Sequence, residues 1–306
     1  MTSKNGILKS ILHKKSAVIP LAVILLYVVM AVVFEVADAV MQSRNAVPPH
    51  LVTGDEIFAP PSLRHLLGTD YQGRDVLLRA MAASSTALKV GIISGVISSV
   101  IGILLGSLAG FYGKKTDDIV VWIYSTFASM PSLLFILALA LLVSRNFLSP
   151  SLAGVVNTAA SLLRVEPGTL AVYCAIGLTG WVTLCRTVRA ETMKLKKMAY
   201  VDAARVAGVS NTVIIFRHII PNVMHLVIIY FTLTFAGAVM LEVIVSYLGF
   251  GVQNAPSWGV MISDGQEQLW RGIWWELAGA TGFLFVLVLA LNLLGDALRD
   301  ILDPKN

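Results

Sequence analysis

Six long apolar runs dominate the chain, and they decide what it can fold into. They are Ala17–Ala37, Ala87–Tyr112, Ile119–Val143, Thr169–Cys185, Val223–Leu248 and Leu277–Gly295. A membrane-spanning helix needs roughly 20 mostly apolar residues, and each run approaches or exceeds that length. Of the 306 residues 57% are hydrophobic and only 13% charged, where a soluble domain carries about 25% charged residues. Mean hydropathy is +0.79. These figures exclude a soluble enzyme, a disordered regulator and a secreted disulfide scaffold. The expected fold class is an all-α polytopic membrane protein with six transmembrane helices.

The first run follows a basic stretch, Lys9 to Lys15, as a signal peptide does. Its apolar length exceeds the roughly 7–15 residues of a signal core, and Val36-Ala37-Asp38 is a poor cleavage site, so we read an uncleaved first span. The Lys/Arg distribution sets the orientation. With the N-terminus inside, the inner segments hold fifteen basic residues, among them Lys114, Lys115, Arg186, Arg189, Lys194, Lys196, Lys197, Arg205 and Arg217. The outer segments hold seven, including Arg44, Arg64, Arg74, Arg79, Arg164 and Arg271. The positive-inside rule then places both termini in the cytoplasm. The net charge of +5 is spread thinly and carries no nucleic-acid signal.

The expected organisation is a cytoplasmic tail (1–16), a first helix (17–37), an external loop (38–86), a core with the other five helices (87–297) and a cytoplasmic tail (298–306). Within the core the longest inner link is 186–222. The link Gly113–Asp118 is short. The outer stretch 144–168 has room for a short surface helix. Gly91/Gly95 and Gly102, Gly106 and Gly110 recur at four-residue spacing, which favours close helix packing over a pore-lining face. Pro131 inside the third run removes a backbone donor and predicts a kink. Cys174 and Cys185 read as small apolar fillers.

Catalytic chemistry is missing. Gly113-Lys114-Lys115-Thr116 lacks the upstream glycine of a phosphate-binding loop, because position 108 is Leu108. His13, His50, His65, His218 and His225 form no H-E-x-x-H and pair with no cysteine at ligand spacing. No G-x-S-x-G elbow occurs. Ionisable residues are sparse within the runs. Glu35 and Asp38 close the first, and Glu242 lies far enough along the fifth to sit near the outer boundary. A proton- or ion-coupled carrier buries such groups along its path, so energy supplied by another subunit is the better reading.

The inner segment Tyr200 to Asn222 reads YVDAARVAGVSNTVIIFRHIIPN. Its spacing predicts a short small-sided helix with Asp202 in its first turn, a turn at Gly208-Val209-Ser210-Asn211, and a second helical stretch closed by Pro221. Asp202, Ala203, Ala204, Gly208 and Pro221 match the EAA loop of ABC-importer permeases, written E-A-A-x3-G-x9-I-x-L-P. Asp202 replaces Glu, His218 replaces Ile and Ile220 replaces Leu. Four further segments resemble the C-type permeases of the dipeptide, oligopeptide and nickel importers. They are Leu67-Gly68-Thr69-Asp70 with Gly73-Arg74-Asp75, Gly177-Leu178-Thr179-Gly180-Trp181, Ser246 to Gln253 with Ser257-Trp258-Gly259, and Asn292 to Asp296 with Leu298-Arg299-Asp300 and Leu302-Asp303-Pro304.

The resemblance implies a type I ABC importer permease fold in a bacterial or archaeal plasma membrane. It implies a homologous permease as partner, two ATPase subunits that carry the ATP and Mg, and an external binding protein that delivers short peptides. No cofactor is expected in this chain. Residues 202–204, 208 and 221 become ATPase-coupling residues. Glu242 and Trp258 become candidate contacts at the external gate or binding-protein dock, with a carboxylate sitting in interfacial water as the alternative for Glu242. A nickel or metal-chelate permease is the close variant. A stand-alone carrier or channel and a membrane enzyme are the readings from other classes.

Overall fold

A computed structural model describes residues 15–144, 149–252 and 255–302. Lys4, Lys9, Lys14, Arg145, Gln253, Asp303, Pro304 and Lys305 lie outside the described residues. Ten helices follow one another among the described residues: α1 (Lys15–Ser43), α2 (Val76–Tyr112), α3 (Lys114–Ser129), α4 (Ser132–Ser144), α5 (Pro150–Leu163), α6 (Pro167–Leu195), α7 (Ala199–Val206), α8 (Asn211–Tyr247), α9 (Trp258–Gln268) and α10 (Trp275–Leu302). Five of them are long and apolar enough to cross a membrane, and the bent pair α3–α4 makes a sixth candidate span.

Most spans outrun their apolar runs, because helix formation needs only satisfied backbone and tolerant side chains, not hydrophobicity. α2 begins at Val76 rather than Ala87, where the Asp75 carboxylate accepts the Leu78 N–H at 2.9 Å and caps the helix. α6 runs ten residues past Cys185, and Arg189 on that extension binds Asp117 of α3, Nη2 to Oδ2 at 2.6 Å. The link 186–222 is therefore mostly helix. The link between α2 and α3 shrinks to Gly113 alone, at φ 64°.

The kink expected at Pro131 is a break. Met130, held extended by the proline that follows it, separates α3 from α4, and the two meet at 88°. The surface helix expected within 144–168 is α5.

The core is a seam between α2 and α6. Cβ atoms added at Gly102, Gly106 and Gly110 would lie 3.0, 2.7 and 2.6 Å from Leu184, the Cys185 carbonyl and the Arg189 carbonyl. Ser94 and Ser98 of α2 donate to the carbonyls of Tyr173 and Gly177 at 2.8 and 2.7 Å. This is the small-residue packing of membrane helices, where backbones approach and hydroxyls bridge. Gly91 and Gly95 serve a different neighbour: they face Phe235 and Phe231 of α8. α2 is thus the central helix, with α6 and α8 against its two glycine faces.

Candidate functional site

α7 lies at the end of α2 that carries Phe111. Val201 is fully buried there with Ile214, Ile215, Ile219 and Phe111, and Ala204 packs against them. Asp202, Ala203, Val206 and Ala207 face outward, Val206 being 90% exposed. The exposed face of α7 is therefore short and small-sided, with one charged pair: Arg205 Nη1 donates to Asp202 Oδ1 at 3.2 Å. The Arg205 guanidinium also sits 5.3 Å from the centre of the Phe111 ring.

The helix ends in a Schellman motif. Val209 N–H donates to the Ala204 carbonyl and Gly208 N–H to that of Arg205, each at 3.0 Å. Gly208 takes φ +78°. A Cβ there would meet nothing within 4 Å, so the glycine is required by its backbone angle and not by crowding. Ser210 then opens α8 as its cap, accepting from Val213 N–H at 3.5 Å.

Pro221 does not close this segment. α8 runs unbroken from Asn211 through Pro221 to Tyr247. A π-turn over Ile215–Ile219 precedes the proline, and Ile220 N–H reaches back to the Ile215 carbonyl. Widening the turn accommodates a residue that has no N–H and whose ring crowds the carbonyl one turn back. Asn222 Nδ2 donates to Tyr200 Oη at 3.4 Å, and the Tyr200 and His218 rings lie 6.3 Å apart. These contacts and the apolar cluster tie α7 to α8.

Glu242 and Trp258 lie at the opposite end, and both are 1% exposed. Glu242 Oε1 accepts from Ser246 Oγ at 2.6 Å and Ser257 Oγ at 2.9 Å. Trp258 Nε1 donates to the Ala80 carbonyl at 2.8 Å, and its ring meets the edge of Tyr27. Glu242 thus holds the α8–α9 turn closed, and Trp258 anchors α9 on α2. Neither side chain reaches the surface of this chain, nor does Glu242 sit in interfacial water.

Sequence reasoning missed a buried charge cluster at the same end. Arg79 Nη1 donates to Asp70 Oδ2 at 2.5 Å and to Glu276 Oε1 at 2.8 Å, and its Nη2 lies 3.9 Å from Asp264. Asp70 also accepts from Arg74 Nε and from the N–H groups of Gln72 and Arg74. Trp275 Nε1 donates to the Thr69 carbonyl at 2.9 Å. Together these bonds join the loop before α2 to α9 and α10. Burial pushes the Asp264 carboxyl above its ordinary range against the pull of Arg79 and Arg74. Asp70 and Arg74 stood inside a segment that matched a family pattern, but Arg79 and Glu276 are 197 residues apart, and no local pattern pairs them.

Residues 102–306 match the family described as binding-protein-dependent transport system inner membrane component. Over 294 residues the chain is 33% identical to the oligopeptide transport system permease protein OppC of Bacillus subtilis (strain 168), covering 95% of this chain and 86% of that one. It is 33% identical to the dipeptide transport system permease protein DppC of the same organism, over 80% of this chain and 70% of the relative. It is 35% identical to OppC of Escherichia coli (strain K12), over 79% and 73% respectively. With a matched segment that holds the whole of α7 and α8, the chain belongs to the family of inner membrane components of binding-protein-dependent transport systems.

Proposed function

We propose that this chain is a permease subunit of an ABC importer, forming half of the translocation pathway for ATP-driven uptake of short peptides. The relatives named as oligopeptide and dipeptide permeases favour peptides over nickel chelates as cargo. The partners are a homologous permease, two ATPase subunits and an external binding protein, and the site is the bacterial plasma membrane with both termini cytoplasmic. The observation that carries the coupling role is α7: a small-sided helix, closed by Gly208 and locked to α8 through Val201.

A cleft on an ATPase subunit closes around the exposed face of Ala203, Val206 and Ala207, and Asp202 and Arg205 supply polar contacts at its edge. Closure of the ATPase dimer then moves α7, and α8 carries the displacement into the membrane. ATP must bind the two states with different affinity for this to drive transport. Glu242 and Trp258 act at the outer end by fixing the α8–α9 turn rather than by touching cargo. The test is ATP-dependent accumulation of radiolabelled trialanine in proteoliposomes holding the complete importer and its binding protein. No accumulation with ATP inside, in vesicles whose ATPase is active, refutes the peptide reading.

A further inference from the structure

At the end of the bundle opposite α7, a cavity of about 740 Å³ opens between α1, α2, α5 and the start of α6. Small-molecule sites typically fall between about 300 and 1,000 Å³. Its walls are charged on several sides, by Glu35 and Asp38 of α1 and Lys89 of α2. Two side chains that line it are more than nine-tenths buried and make no hydrogen bond through one polar atom: His50 Nδ1, in a residue 1% exposed, and Thr169 Oγ1, in one 4% exposed. Asp38 Oδ1 is also buried without a hydrogen bond. Buried polar atoms normally make hydrogen bonds, so three without one on a single cavity point to a ligand group that would supply them.

The identity of that group follows from what is already paired. Lys89 is held by Glu35 and donates to the Arg164 carbonyl. Asp38 Oδ1 and His50 Nδ1 face each other at 3.5 Å with no hydrogen bond between them. The Phe34 ring stands edge-on to the imidazole at 5.9 Å and fixes its plane. Burial, with Arg79 and Arg74 nearby, pushes the imidazole down to about 4, so His50 is neutral at pH 7. The carboxylate oxygen only accepts, the Thr169 hydroxyl accepts as well as donates, and Nδ1 accepts in the tautomer that carries its proton on Nε2, so all three can meet a donor. A primary ammonium placed beside the Asp38–His50 pair, off the line joining the two atoms 3.5 Å apart, can come within hydrogen-bond reach of both, since each such bond spans about 2.7–3.2 Å.

We propose that this cavity binds the terminal ammonium of a short peptide, with Asp38 and His50 as its acceptors. The peptide identity rests on the import function proposed above, while the ammonium chemistry stands on the cavity alone.

The test uses the complete importer in liposomes, with Cys174 and Cys185 replaced by Ala and a single reporter, Ser161→Cys, at an exposed position on the cavity wall. The rate of maleimide labelling is read with and without millimolar trialanine. The expected result is several-fold protection by trialanine, none by Nα-acetyl-trialanine, and a roughly tenfold weaker effect of trialanine in Asp38→Asn. Equal protection by the acetylated peptide overturns the proposal without any variant at Asp38. So does full protection in Asp38→Asn. Repeating the measurement in liposomes without phosphatidylethanolamine separates a lipid amine: protection that appears only with that lipid, and not with trialanine, also overturns it. Trialanine uptake is measured in parallel. Uptake without protection refutes the cavity site alone, whereas protection without uptake refutes the import reading and leaves the site standing.

Discussion

Replacing Arg79 with Met removes the centre of the buried cluster. Its side chain is 6% exposed, and it satisfies Asp70 at 0% and Glu276 at 2%. Asp70 would keep two backbone N–H donors and Arg74. Glu276 would lose the 2.8 Å bond from Arg79 and stay buried. Removing one partner from a buried ion pair costs about 3–5 kcal/mol, because the other charge remains desolvated. A loss of ~3 kcal/mol lowers the folded-to-unfolded ratio by roughly two orders of magnitude. The double substitution Arg79→Met with Glu276→Leu should recover about 1–3 kcal/mol of that loss, since apolar side chains of similar volume often replace a buried pair at little net cost. The assay is the thermal inactivation half-life of the assembled complex in detergent, alongside its yield from membranes. A half-life for Arg79→Met equal to that of the unmodified chain would refute the reasoning, and so would a double variant as unstable as the sum of its two singles.

Gly106→Leu should wedge α2 from α6 at the Cys185 carbonyl and lower folded yield, a cost of about 1–3 kcal/mol or more; normal yield and transport would place that face against lipid. Gly208→Val forces a β-branched residue to φ +78°, costing about 1–2 kcal/mol locally. The permease should still insert and pair, while pull-down of the ATPase subunits or stimulation by the loaded binding protein fails; full stimulation removes Gly208 from coupling. His50, depressed to about 4 from an ordinary 6.5, contributes stability that is present above pH 6.5 and lost as pH falls towards 4. His50→Gln should flatten that part of the profile of inactivation half-life against pH, and parallel profiles would contradict it. Reporter fusions at Lys115 and Ala203 should read cytoplasmic and at Pro60 and Asn157 external; an external signal at Ala203 would overturn the proposed coupling.

Much of this architecture was legible because it is local. Apolar runs of span length located the helices, the four-residue glycine spacing located the α2–α6 seam, and D-A-A-x3-G located α7 and its turn. Helix ends were less legible. Hydropathy marks where a chain meets lipid, but caps such as Asp75 and long-range pairs such as Arg189–Asp117 decide where the helix stops. At Pro221 the proline rule favoured a boundary, and the π-turn over Ile215–Ile219 removed the need for one. The Arg79 cluster and the Asp38–His50 cavity stayed hidden because their members come from separate helices and loops, and single residues of those types read as ordinary loop or boundary polarity.

The π-turn sets the phase of α8. An α-helix advances about 100° per residue, and a π-turn takes up one extra residue without advancing the pattern. Everything on the α7 side of Ile215–Ile219 is therefore rotated by about 100° from where a uniform helix would put it. In that phase Ile214, Ile215 and Ile219 all turn towards Phe111 and Val201, while Phe231 and Phe235 further along keep their glycines on α2. One residue thus fixes the azimuth at which α7 leaves the bundle, and deleting it would leave both helices intact while turning α7 towards a different side.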